Sequence, residues 1–302
     1  RQGAYSKDNS SGWQELNFPI IQGADICGIV DNIYDEKLNE LIGKMVLVNP
    51  TIYPDEDLVD DIQNITHCKY IGSEVNGGYA EFIKVPFKNL HFIPDNCNLT
   101  IDQLSCIPTA YATAYHMIKR VPKSLKNKTC LISGVSGGVG IALMQLLKCL
   151  YQDIILIGIT SQNKINSLDF ENLISRNQSQ EGIKNDIFKI TNGIDVIFDV
   201  VAGEYIDLFI DVLKTNGDYV CSGAIGNRNV SVYWPNFYLK HLNFYGSMLA
   251  THQDFKELTE IMFSNKIQPI VSSIYNLEDL KSAQSEFMDK NFIGKIVLNC
   301  EN

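Results

Sequence analysis

The residues best suited to chemistry lie between Leu131 and Lys148, LISGVSGGVGIALMQLLK. There Gly134, Gly137 and Gly140 recur every third position between an apolar run and an amphipathic one. Glycine at this spacing lets the backbone turn sharply and approach a ligand with no Cβ in the way. Between a strand and a helix it also aims the amides of the helix N-terminus at negative charge. The chemistry is the cradling of a pyrophosphate: Gly138 and Val139 open the helix, Gly140 permits close helix–strand packing, and Ser136 adds a hydroxyl. The segment Gly134–Val135–Ser136–Gly137–Gly138 also satisfies G-x-S-x-G, the serine elbow of a hydrolase, with Asp199 and His241 or His252 following in chain order. The third spaced glycine and the strand that follows favour the phosphate loop.

Specificity for the adenosine ribose is read at the end of the next strand, where an NAD site usually carries a carboxylate. IILIGIT instead ends in Thr160 and Ser161, with Lys164 three residues on. Two hydroxyls and an ammonium suit a 2′-phosphate, so NADP(H) is the expected cofactor; Lys164 also reads as an ordinary solvent-facing residue. Val201, after the run IDVIFD, and Gly223, in CSGAIG, stand where two further strands end and are expected to bound the nicotinamide ribose. Asp199 reads equally well as a turn former. The five histidines form no HExxH, and the carboxylates at 55–61 lack EF-hand order, so no metal is expected.

These residues need a frame. Buried strands alternating with amphipathic helices from about residue 101 predict a parallel sheet covered on both faces. Before that point, short runs such as ADICGIV, KMVLV and GGYAEFIKV read as strands of a mainly β unit punctuated by prolines. Beyond residue 250, helices are expected at 252–263 and 277–290, then a strand in GKIVLN; the Asn- and Ser-rich stretch 163–190 is patchy. The 302 residues suit about two domains. The 35 acidic against 25 basic residues oppose nucleic-acid or anionic-membrane partners. No run approaches a membrane span. Eight scattered cysteines without a CxxC predict a reduced, cytoplasmic protein.

FPIIQGADICGIV, LIGKMVLV, GGYAEFIKVP, TAYATAYHMI, SGVSGGVGIALMQLLK, GIDVIFDVVAG and FIGKIVL, after an opening RQGAY, resemble in order the medium-chain dehydrogenase/reductase superfamily, in its zinc-independent, quinone-oxidoreductase-like and alcohol-dehydrogenase-like branch. The resemblance implies an α/β fold in which a Rossmann doubly wound parallel sheet (111–248) is inserted in a GroES-like, mainly β catalytic domain (1–110 plus 249–302) lacking its first strands. It implies hydride transfer between NADPH and a quinone or α,β-unsaturated carbonyl. The alternatives are a zinc-free aldehyde or ketone reductase and a catalytically decayed, nucleotide-bound structural or regulatory protein. Against the G-H-E of zinc-dependent relatives stands Gly23–Ala24–Asp25, and their cysteine ligand falls on Thr109. Of the structural zinc lobe only Cys68 remains, so zinc is not expected. Without it, Tyr5 and Tyr53 are candidate hydroxyl donors to the substrate oxygen, and Thr113 is placed beside the nicotinamide. A homodimer is implied, with the aromatic stretch 219–248 as candidate surface.

Overall fold

The computed structural model describes residues 18–53 and 68–300. Tyr5 and the acidic stretch 55–61 lie outside the described residues. Strands β1 (Cys27–Ile29), β2 (Met45–Val48) and β5 (Leu90–Phe92) form an antiparallel sheet in the order β1–β2–β5, and β3 (Thr51–Ile52) pairs with β4 (Lys69–Tyr70). The stretch expected as a strand at 77–85 is not one. Its amides at Gly77, Gly78 and Tyr79 instead donate to the carbonyls of Ile21, Gly23 and Gln22 at 2.7–2.9 Å. The Gly pair lies so close that a Cβ on Gly77 would sit 2.2 Å from Gly23 O. This close irregular packing takes the place of a regular ladder.

The chain enters the second unit through α1 (Ile101–Ser105), a π-helical turn at Ile107–Tyr111 and α2 (Ala112–Lys119). Thr100 caps α1 through a reciprocal pairing with Gln103. Pro108, which has no amide to donate, falls in the π turn where the ladder changes register. Then follow β6 (Thr129–Ser133), α3 (Gly138–Leu150), β7 (Ile155–Thr160), β8 (Leu173–Ser175), α4 (Gln180–Ile190), β9 (Ile194–Asp199), α5 (Ile206–Val212), β10 (Leu213–Cys221), α6 (Trp234–Leu239) and β11 (Asn243–Gly246). The six strands are all parallel in the order β11–β10–β9–β6–β7–β8, the doubly wound arrangement.

Side-chain alternation decides which layer each residue joins. Cys130, Ile132, Val196, Phe198 and Val220 pack with α2, α3 and the later helix His252–Phe263; Leu131, Ile197 and Tyr219 pack with α4 and α5 on the opposite face. Residues 163–190, patchy in sequence, contain β8 and α4. Ser179 caps α4 by accepting from the Gly182 amide, and its buried stripe is reduced to Ile183 and Ile187, too narrow a signal to read from periodicity.

The final stretch comprises α7 (His252–Phe263), β12 (Val271–Asn276), α8 (Leu280–Asp289) and β13 (Lys295–Asn299). Both expected helices are present. β13 pairs in parallel with β12, which the alternation V-S-S-I-Y-N marks only weakly. This stretch reaches the first unit at several points: Tyr53 Oη donates to Ala250 O at 3.1 Å, Asn49 Nδ2 meets His252 Nδ1 at 3.2 Å, and the Asn98 amide donates to Asn265 Oδ1 at 2.7 Å. It also grips α2 through the buried His116 Nδ1–Asp254 Oδ2 contact at 2.6 Å.

His91 stacks on Phe255 with ring centroids 4.7 Å apart, and its buried Nε2 has no hydrogen-bond partner among the described residues. Burial, then His252 and Lys256, lower its pKa from 6.5 to about 4. The folded protein therefore holds His91 neutral where the unfolded chain takes up a proton, so stability present above pH 6.5 falls as pH drops from 6.5 toward 4. Urea midpoints measured across that window should decline, and His91→Phe, which keeps the ring contact, should flatten the decline.

Candidate active site

The loop between β6 and α3 is built by its glycines. Gly134 has φ +63°, and a Cβ there would lie 2.8 Å from Val201 Cγ2. A Cβ on Gly140 would lie 2.3 Å from Gly134 O and 2.6 Å from Val135 Cα, so the first turn of α3 presses against the loop backbone. Gly137 is different: a Cβ there meets only Gly134 O, at 3.5 Å. As the N-cap of α3, Gly137 offers the first helical amides no side-chain acceptor, leaving them to an external anion. Gly138 and Val139 are half-buried at this opening. The geometry fits the pyrophosphate of a dinucleotide, since the backbone approaches bare of side chains at a helix N-terminus.

Ser136 and Thr160 face one another, the Thr160 hydroxyl donating to Ser136 Oγ at 2.9 Å, and both are buried. The Ser136 carbonyl accepts from the Gly294 amide at 3.1 Å, so the turn before β13 lies against the phosphate loop. Ser161 begins the turn after β7. Lys164 Nζ donates to Phe292 O at 2.7 Å, on that same turn. Thr160, Ser161 and Lys164 thus occupy one corner, with Lys164 and Thr160 bonded within the protein.

Asp199 is a turn former. It is 1% exposed, and its Oδ1 accepts from the Ser133 hydroxyl and from the Val201 and Ala202 amides, both at 2.9 Å. Its Oδ2 accepts from Tyr219 Oη at 2.7 Å. Burial and then the Asp199 charge push the Tyr219 phenol well above its ordinary range, so it remains a donor. This network shapes the loop that lays Val201 over Gly134. Gly223 (φ +142°) lets the loop after β10 close on β9, with Gly226 donating to Val201 O at 2.9 Å.

A second, narrow cleft lies next to the π turn, lined by Thr51, Tyr70, Pro108, Thr109, Thr113 and Ala250. Tyr70 Oη and Thr109 Oγ1 are 3.2 Å apart. The expected donor Tyr53 spends its hydroxyl on Ala250 O, behind this wall. What ties cleft to cradle was not legible as a site in sequence. Asp25 Oδ1 accepts from the Thr109 amide at 2.6 Å, Asp25 Oδ2 from Lys295 Nζ at 2.6 Å, and Lys295 Cδ would stand 2.9 Å from a Cβ on Gly138. Burial opposes the Lys295 charge, but Asp25 outweighs it and holds the ammonium above its ordinary pKa. The signal existed in G-A-D and G-K-I-V-L; their pairing across 270 positions did not.

Among the described residues, no three His, Cys, Asp or Glu side chains converge as a metal site. The polar side chains lining the cleft are the hydroxyls of Thr51, Tyr70, Thr109 and Thr113 and the amide of Asn49, and Asp25 is engaged by Lys295 and Thr109. Among the described residues, that set is not the nitrogen, thiolate and carboxylate set zinc takes.

Comparison with known proteins agrees with this architecture. A family model for the alcohol dehydrogenase GroES-like domain matches residues 3–95, and one for zinc-binding dehydrogenase matches 173–298. An NAD-dependent alcohol dehydrogenase of Sulfolobus acidocaldarius is 25% identical over 99% of this chain and 86% of its own. An acryloyl-coenzyme A reductase of Sulfurisphaera tokodaii is 22% identical over 95% and 85%. The crystal structure of a candidate alcohol dehydrogenase from Sinorhizobium meliloti superposes with a TM-score of 0.84 at 31% identity, covering 94% of this chain and 77% of that one. The chain belongs to the medium-chain dehydrogenase/reductase superfamily, with a Rossmann-like parallel sheet and a GroES-like domain. It is an oxidoreductase.

The glycine geometry separates two roles. Gly140→Ala forces a Cβ into backbone and should cost about 1–3 kcal/mol of stability. Gly137→Ala, which meets only ordinary contact, should leave the urea midpoint near that of the parent.

Proposed function

We propose that this protein is an NADPH-dependent, zinc-independent reductase of α,β-unsaturated carbonyl compounds, quinones included. The observation carrying the reading is the junction itself: a pyrophosphate cradle at α3 joined through Lys295 and Asp25 to a cleft lined by the hydroxyls of Thr51, Tyr70, Thr109 and Thr113 and the amide of Asn49. The name of the acryloyl-coenzyme A reductase among the relatives supports an enoyl substrate.

Gly134, Ser136, Gly137, Gly138, Val139 and Gly140 would hold the pyrophosphate, with Thr160, Ser161 and Lys164 at the adenosine ribose and Val201 and Gly223 bounding the nicotinamide side. A reduced nicotinamide, when bound, supplies hydride. The chain's own part is to exclude water, orient the acceptor and stabilise charge on its oxygen. Thr113 and the Tyr70–Thr109 hydroxyl pair line the cleft, which supports a role in donating to a carbonyl oxygen as it gains charge. Tyr53 acts behind them by fixing the Ala250 wall. Tyr5 stays a candidate donor.

The contacts of Tyr53, Asn49, Asp25 and Asn98 with residues after 249 support a first domain split around 111–248. A homodimer is supported by β11, an outermost strand, and by exposed Tyr233, Trp234, Tyr238 and Leu239 near it. Free cysteines support a reducing, cytoplasmic setting. No helix among the described residues is long and apolar enough to cross a membrane.

A second reading, reduction of simple aldehydes or ketones, is favoured by the alcohol dehydrogenase named among the relatives. Turnover with 4-deuterated NADPH separates the two. Deuterium on the β-carbon of an enone or enoyl thioester is the expected result; deuterium on a carbinol carbon reverses the assignment. No transfer to any enone, quinone or aldehyde would favour a decayed, nucleotide-bound protein.

A further inference from the structure

At the corner of the sheet beyond the phosphate loop, the turns that follow β7 and β8 are fastened together. The Arg176 amide donates to Thr160 O at 2.7 Å, and the Gln162 amide donates to Asn177 Oδ1 at 2.8 Å. Arg176, the first residue after β8, is therefore held beside Thr160 and Ser161, where the adenosine ribose of a dinucleotide is read in this architecture. Its side chain is exposed, and its guanidinium has no hydrogen-bond or ion-pair partner among the described residues. Neither turn supplies a carboxylate: the residues are Ser161–Gln162–Asn163–Lys164 and Arg176–Asn177–Gln178–Ser179.

Lys164 is differently placed. Its ammonium is bonded to Phe292 O and lies 5.7 Å from the Phe292 ring centroid, and the neighbouring Asn163 Nδ2 donates to Asn291 Oδ1 at 3.3 Å. The same segment reaches the phosphate loop through the Gly294 amide and Ser136 O. Lys164 is thus bound to the wall of the cradle. Burial and then the nearby Arg176 hold its pKa below the ordinary lysine value, as expected of two cations sharing a corner.

We propose that Arg176 is the residue that selects NADP(H) by binding the ribose 2′-phosphate, and that Lys164 is a positioning residue that holds the 290–294 segment against the phosphate loop. The inference rests on the NADP(H) reading above and goes further by moving phosphate recognition from Lys164 to Arg176. The chemistry favours this division. A guanidinium presents a planar fork that matches two phosphate oxygens, whereas an ammonium is a point charge that a backbone carbonyl can occupy.

Isothermal titration of the whole chain with NADPH, NADH and 2′,5′-ADP tests the proposal without relying on turnover. Arg176→Gln should weaken NADPH and 2′,5′-ADP by about tenfold to a hundredfold while NADH binding stays put, which also shows that the variant is folded. Arg176→Lys should recover part of the loss. Lys164→Met should weaken NADPH and NADH in parallel. An unchanged NADPH-to-NADH ratio in Arg176→Gln overturns the proposal, as does a ratio that collapses in Lys164→Met alone. If the parent protein itself binds NADH as tightly as NADPH, the NADP(H) reading falls with it; binding of neither overturns the nucleotide function.

Discussion

The ion pair between Lys295 and Asp25 is the contact on which the candidate site depends. It joins three parts of the chain far apart in sequence: the edge of the first unit, the π turn leading into the parallel sheet, and the strand after the last helix. Through its second oxygen Asp25 fixes the Thr109 amide, and through its aliphatic stem Lys295 lies on Gly138 at the mouth of the phosphate loop. The hydroxyl cleft and the cradle are thereby held in one geometry. An isolated charge of this kind would be costly to bury; paired and hydrogen-bonded, it sets orientation.

Much of this was legible in sequence wherever one residue type met one backbone requirement. The glycine triplet announced the turn because Gly134 must adopt positive φ and Gly140 must lie against backbone. The runs KTCLISGV, DIILIGIT and IDVIFDVV announced buried parallel strands because both of their faces are covered. Both helices after residue 250 were apparent from their spacing. What escaped was pairing at a distance and elements with weak stripes. β12 alternates half-buried with exposed positions and buries none fully, and α4 buries two isoleucines. Asp25 with Lys295, Tyr70 with Thr109, and Arg176 beside Thr160 are products of folding that no local window contains.

The chemistry of the cleft follows from which side chains are already engaged. Asp25 is held by Lys295 and Thr109, Asp199 by a serine, a tyrosine and two amides, and Tyr53 by a carbonyl. Each fixes a wall or a loop. The polar side chains lining the space between π turn and first unit are four hydroxyls and the Asn49 amide, all uncharged, which suit a neutral acceptor whose oxygen gains charge during reduction. In the proposed reaction, hydrogen bonds from fixed side chains stabilise the charge that grows on the acceptor oxygen.

Whether uncharged hydrogen-bond donors act in place of a metal at the cleft is decided by single-turnover reduction. The protein is treated with a strong chelator, freed of it, and mixed with stoichiometric NADPH and an enoyl thioester while the absorbance of the reduced nicotinamide is followed. NADPH should be consumed at the rate of untreated protein, and added zinc should give no increase. A rate abolished by the chelator and restored by zinc would contradict the zinc-independent reading.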